Sequence, residues 1–385
     1  MNVKISENNF DLIRLVAAMQ VCVMHVLHSL PPPLSTSPWL IPASVLSGVP
    51  IFFFISGFLI SRSFEKTGTV RDYARNRALR IFPALHVCVL VNLLMVAATG
   101  YFATVHVHFG SLLALYLAKT TFLQFYNPEF MRGFGDGVLN GSLWTICVEL
   151  QFYFLIPIIY RLFVYGRSPR ATNIALCLLI AVSLTCNRAL YMGQGEFADQ
   201  VLWKLARVSF VPWVYMFLTG MLVQRNFAFC IQFLRRNTVL IALPLYLVVS
   251  FVLVRYYGFR IDNGFSPIMF FPLAAVTLIC AYTAPWVARK VLKGQDISYG
   301  VYIYHAPLMD MFEYYGLTQS LWYILGTPLM TVVLASASWF LVERPALSHK
   351  RRASHPVVTA PGSTPATAGV SGPQRAAEPP TTRRP

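Results

Sequence analysis

Charge is what this sequence has least of. Asp, Glu, Lys and Arg make up 12% of its 385 residues, where an ordinary soluble domain carries roughly 25%. A globular chain so poor in charge has too little to cover its surface, which excludes a soluble enzyme and a disordered hub. Acids are the scarcer half, 15 against 31 Lys and Arg. Cysteine offers no chemistry either. The seven, at 22, 88, 147, 177, 186, 230 and 280, fall almost all within apolar stretches, with no CxxC pair and no Cys/His spacing that suits a metal. They read as buried small hydrophobes, so neither a disulfide scaffold nor a metal site is expected.

Apolar sequence is abundant instead, at 56% of the chain. Stretches of about 20 residues, the length that crosses a bilayer as a helix, recur at 10–30, 45–62, 80–102, 142–164, 172–190, 205–224, 238–256, 267–288, 297–314 and 321–342. The expected fold class is all-α, a polytopic membrane bundle of about ten helices. A weaker stretch at 110–126 contains Lys119 and is short for a span, so an interfacial or re-entrant piece is expected there. The first stretch has the position of a signal peptide. Asp11 and Arg14 lie in its opening turns, however, and no small-x-small cleavage site precedes Pro31, so it is expected to be retained.

The net charge of +16 invites a nucleic-acid reading, and the placement of the cations argues against one. With ten crossings and both termini cytoplasmic, 23 cations fall inside and 6 outside, with Arg14 and Lys119 at membrane depth. That is the segregation of the positive-inside rule. Counting 110–126 as a crossing would put Arg161, Arg167 and Arg170 outside and break it. The partner implied is a lipid bilayer, and no nucleic acid is expected. Residues 1–345 read as the membrane domain. The remainder, 346–385, is rich in Pro, Ala, Thr, Ser and Gly; it cannot bury enough apolar surface to offset its chain entropy and reads as a disordered cytoplasmic tail.

Ionisable groups inside spans are costly, so each is a candidate for function. Eleven positions separate Arg14 from His25; at about 100° per residue both share one face of the first helix, about 16 Å apart along it. Glu149 sits at a depth that matches His25, so a His/carboxylate pair is geometrically possible. Such a pair would orient the imidazole as a general base for a hydroxyl, and an interhelical polar clamp is the structural alternative. His305 and Asp310 lie about 140° apart on the ninth span and need not share a pocket; for His305, packing and substrate contact weigh equally. In the loop at 62–80, Arg77 and Arg80 are three apart at a helix mouth. They project from one face, either as a two-pronged phosphate grip or as ordinary membrane anchors.

These residues and their surroundings resemble the acyltransferase-3 family of integral membrane acyltransferases. Arg14 to His25 is similar to the family's Arg-x10-His opening helix, and Gly48-Val49-Pro50 through Gly57-Phe58-Leu59-Ile60 to its second-helix signature. Arg77-Ala78-Leu79-Arg80-Ile81-Phe82-Pro83 resembles its Arg-x-x-Arg-Ile-x-Pro element, and Ser142-Leu143-Trp144 with Val148-Glu149-Leu150-Gln151-Phe152-Tyr153 its central block. Ile297-Ser298-Tyr299-Gly300 through His305-Ala306-Pro307, and the closing Glu343-Arg344-Pro345, are similar to its late elements. The blocks occur in the family's order from about 10 to 345. One departure is Leu150, where many relatives carry a second acid, and the soluble esterase-like domain of some relatives is not seen.

The resemblance implies transfer of an acyl group, often acetyl, from cytoplasmic acyl-CoA to hydroxyls of cell-surface carbohydrate, such as lipopolysaccharide O-antigen or exopolysaccharide, by a multi-pass enzyme of the inner (plasma) membrane. Acyl-CoA is then a co-substrate and no bound cofactor is expected. It further implies a catalytic set of His25, Glu149 and Arg14, in which His25 deprotonates the acceptor, Glu149 orients the imidazole or binds sugar, and Arg14 contacts the donor or polarises the pore, while Arg77 and Arg80 hold coenzyme A phosphates. Asp11, Ser142, Tyr153 and His305 complete the set as acceptor-binding or pocket residues. Direct transfer is favoured over an acyl-histidine because no second activating base is evident. A flippase or transporter of a lipid-linked glycan is the main rival, but no repeat relates 10–164 to 172–342 as inverted-repeat transporters would show. An acyltransferase acting on a small molecule also fits.

Overall fold

The computed structural model describes residues 4–192, 200–234, 237–261 and 265–350. Arg235, Arg236 and 351–385, the greater part of the expected tail, lie outside them. The described residues form helices and loops without a strand. The main helices are α1 (Phe10–His28), α2 (Gly48–Lys66), α3 (Val70–Ala98), α4 (Phe109–Lys119), α5 (Trp144–Ile159), α6 (Pro169–Met192) and α7 (Val201–Val208). They continue with α8 (Val214–Arg225), α9 (Thr238–Tyr257), α10 (Pro267–Tyr282), α11 (Trp286–Leu292), α12 (Ser298–Tyr314), α13 (Thr327–Ser338) and α14 (Arg344–Ser348).

Each of the ten expected spans holds a helix. Seven helical segments are long and apolar enough to cross a membrane, or nine if the bent pairs α8 with Phe227–Phe233 (80°) and α10 with α11 (74°) each count as one. The tenth, α12, has 17 residues and spans about 25 Å. The expected span at 205–224 is where sequence and structure part. It divides into α7 and α8, because Pro212 has no N–H to continue the ladder. α4 has eleven residues, too short at about 16 Å to cross. Its Lys119 is fully buried yet satisfied, donating to Gln124 O and Asn127 Oδ1, each at 2.8 Å.

Glycine sets the tightest helix contact. A Cβ on Gly57 would come within 1.9 Å of Phe217 O, and one on Gly220 within 2.0 Å of Phe54 O. The backbones of α2 and α8 therefore touch, as small residues allow between membrane helices. α12 is the central post: Ser298 to Leu308 is buried throughout, and α1 and α13 pack along it. The start of α1 is fixed by Asn9, which donates to Thr283 O and Ala284 O and accepts from Ala288 N at the elbow between α10 and α11. α1 and α12 are thus held side by side, which places the histidine of one against that of the other.

Candidate active site

His25, in the carboxy-terminal half of α1, has its Nδ1 3.1 Å from Nε2 of His305 on α12, and the rings are 5.2 Å apart. His305 is fully buried. His25 instead faces a chamber of about 420 Å³ whose wall includes Gln20, His28, Ser142, Trp144, Trp213 and Tyr302. If His25 Nδ1–H donates to His305, the Nε2 lone pair of His25 is left free to accept a proton. Ser142 donates to Asn140 Oδ1 at 2.6 Å, which fixes the chamber wall where α5 begins.

A constriction of about 30 Å³ adjoins the chamber and shares Val49 and Tyr302 with it. Tyr302 and Thr145 are linked hydroxyl to hydroxyl at 2.6 Å, and the Tyr302 ring meets Phe52 edge-on at 5.5 Å. Arg14 and Glu149 also line the constriction, and both reappear in a third cavity of about 300 Å³. That cavity adds Asp11, Arg77, Arg80, Tyr153, Asp296 and Lys350. Three cavities therefore share walls in series, from the histidines to the cationic end of the bundle.

The third cavity is built on paired charge. Asp296 accepts from Arg14 at 3.0 Å and from Arg80, and the same guanidinium of Arg80 lies 3.8 Å from buried Glu343. Asp296 also accepts from Ser298 N at 3.2 Å, capping α12. Burial opposes ionisation of Asp296, but the Arg80 and Arg14 charges and the Ser298 hydrogen bonds outweigh it and hold the carboxyl well below the usual carboxylate range. Arg77 donates to Ser63 Oγ at 3.3 Å and lies over the Tyr153 ring at 5.9 Å. Lys350 has its ammonium pushed down to about 8 by burial and by Arg77, Arg80 and Arg14, with Asp296 opposing.

Residues 7–343 match the family model described as an acyltransferase domain. The chain belongs to the acyltransferase-3 family. It is 32% identical over 354 residues to nodulation protein 10 of Rhizobium leguminosarum bv. viciae, covering 88% of this chain and 93% of that protein. Identity to the O-acetyl transferase of Shigella phage Sf6 is 26% over 359 residues, 88% of this chain and 95% of that one. The peptidoglycan O-acetyltransferase OatA of Listeria monocytogenes is 22% identical over 324 residues, 77% of this chain but half of that protein. No solved structure matches. The protein is thus an acyltransferase, and its apolar helices make it a multi-pass membrane enzyme.

The acyltransferase brings its family motifs together in a different pairing from the one expected. Glu149 accepts from Ser56 Oγ at 2.9 Å and from Tyr153 Oη at 2.8 Å, while His305 occupies the place beside His25. Residue counting fixes a depth but not an azimuth, and the Thr145, Glu149 and Tyr153 face of α5 turns toward the constriction and third cavity. Arg77 and Arg80 both reach the third cavity, but Arg80 is already neutralised by two acids, so the pair is not a free fork. Asp11 and Arg14 stand with them, Ser142 with His25. Sequence reasoning missed Asp296, Ser56, Tyr302 and Lys350. Asp296 had one signal, an acid following Arg289, Lys290 and Lys293.

Proposed function

We propose that this enzyme is an O-acetyltransferase of the inner (plasma) membrane, with both termini cytoplasmic, that moves an acyl group from cytoplasmic acyl-CoA to a hydroxyl of a cell-surface carbohydrate. The observation that carries this reading is the series of three cavities, cationic at one end and histidine-lined at the other. The anionic donor suits the cationic end. Arg77 and Lys350 offer charge to its phosphates, while Arg80 and Arg14, tied to Asp296, shape the mouth. The uncharged pantetheine arm then passes Glu149 and Tyr302 to present its thioester near His25. A constriction of about 30 Å³ holds little more than water, so Phe52 and Tyr302 must part for the arm, and at rest they keep the two sides separate.

At the chamber, His25 Nε2 takes the acceptor hydroxyl proton as the oxygen attacks the thioester carbonyl. The C–S bond breaks, the ester forms, and the proton passes to the departing thiolate. His305 acts through His25, holding its tautomer and ring plane. The names of the phage and peptidoglycan relatives support acetyl as the group and carbohydrate as the acceptor. Proton NMR of purified surface glycans before and after mild alkali, in wild type, a deletion strain and a His25→Ala complement, tests the proposal. The ester signal is expected in wild type alone; an unchanged signal in the deletion strain would move the acceptor to a small molecule.

A further inference from the structure

The chamber does not end at its indoles. Trp144 and Trp213, with rings 5.2 Å apart, line it and also line a neighbouring cavity of about 220 Å³. The rest of that cavity's wall is Tyr191, Lys204, Arg207 and Val208. The Arg207 guanidinium lies 5.7 Å from the centre of the Tyr191 ring, and that of Arg260 is at 5.7 Å from the same ring. Tyr191 in turn meets Trp213 edge-on at 6.0 Å. Lys204 and Arg207 are three apart on α7, so they share a face.

This concentration of cations runs against the topology. Of the six Lys and Arg that the proposed orientation puts on the chamber side, Arg188, Lys204, Arg207 and Arg260 belong to the segments around Tyr191. Cations are disfavoured on that side, so topology supplies no reason for them here. The sequence between α6 and α7 also carries Glu196 and Asp199, and the segment 188–207 still keeps a net +1. Lys204, Arg188 and Arg260 have other partners. Arg207 has no carboxylate partner among the described residues, and its charged end is held by an aromatic face rather than by an acid. A guanidinium on an aromatic ring keeps its fork of donors for a planar anion.

We propose that this cavity is an acceptor subsite for a sugar residue bearing an anionic group, a carboxylate or a phosphate, next to the residue whose hydroxyl is acylated. The indoles and Tyr191 take the apolar faces of the sugar ring, and Arg207 takes the anion. The proposal rests on the transfer reading only for the word acceptor; the binding it asserts is measurable without turnover.

The test is equilibrium binding to the full-length protein in lipid nanodiscs, read by indole fluorescence, with trigalacturonate, glucose 1-phosphate and neutral cellotriose as probes. At low salt at least one anionic probe is expected to bind about tenfold or more tighter than cellotriose, the scale of one charged hydrogen bond. The preference should fall as salt rises. Preference for trigalacturonate assigns a carboxylate, and for glucose 1-phosphate alone a phosphate. Arg207→Gln should erase the preference and Arg207→Lys keep part of it. Equal binding of all three probes to the wild type overturns the proposal without recourse to any variant, as does a preference that Arg207→Gln leaves intact. His25→Ala, inactive on the transfer reading, should keep the preference. In the wild type, no transfer despite the anionic preference would sink the chemistry and leave the subsite, and transfer without the preference would sink the subsite alone.

Discussion

The two ends of the cavity series handle polarity in opposite ways. At the cationic end, Arg14, Arg80, Asp296 and Glu343 are tied to one another, so the charges that shape the mouth are already compensated. At the other end, two histidines share one hydrogen bond, and His25 opens on a chamber while its partner is sealed. The contrast separates holding from reacting. A network with every charge answered is rigid and suited to shaping a binding mouth. A ring with one nitrogen held and one free is suited to proton transfer. Between them, Tyr302 belongs to both the chamber and the constriction, which makes α12 the element that relates one end to the other.

The largest expected effect breaks the reacting end. His25→Ala should lower the rate of transfer by about 10³-fold or more, within the span a positioned base supplies, with membrane insertion unchanged by protease protection. His305→Ala should cost less, about 10²-fold in kcat with the acceptor KM little moved, because it removes the orienting partner and not the base. His305→Gln, which keeps a polar end, should recover part of that loss. Equal KM and kcat effects would assign His305 to substrate contact instead.

At the holding end, Asp296→Asn should lower stability by about 3 kcal/mol, since it leaves Arg14 without its carboxylate and Arg80 with Glu343 alone. Thermal unfolding in detergent checks this, and the pH dependence has a fixed sign. A carboxyl held below its ordinary range stabilises above that range and loses its contribution as pH falls through its folded value. The wild-type advantage should therefore be constant near neutrality and shrink only in acid. The smallest effect concerns Lys350. Because its ammonium is pushed down to about 8, donor KM should rise several-fold between about pH 7 and 9 as the charge is lost. Lys350→Arg, charged throughout, should flatten that rise.

Hydropathy reveals the spans because burial in lipid is imposed residue by residue along a helix; the ten apolar stretches each hold one. The break between α7 and α8 is hidden from hydropathy because Ser209 to Trp213 stays apolar on average while Pro212 interrupts the backbone. Arg14 and His25 were legible because one helix carries both. His305 is a candidate from sequence, but its pairing with His25 is not, since which helix faces which is decided by contacts such as Gly57 against α8 and Asn9 against the α10–α11 elbow. Asp296 and Ser56 become meaningful only where Arg80 and Glu149 meet them across the fold.

The central claim is that donor and acceptor enter from opposite ends of this series and meet at His25. Sided proteoliposomes of the full-length protein test it most directly, with radiolabelled acetyl-CoA added only on the face bearing Arg77 and Lys350 and glycan only on the other. Alkali-labile label is expected in the opposite-side glycan for the wild type and none for His25→Ala. Label that forms only when donor and glycan share a side, or forms equally with His25→Ala, would contradict it.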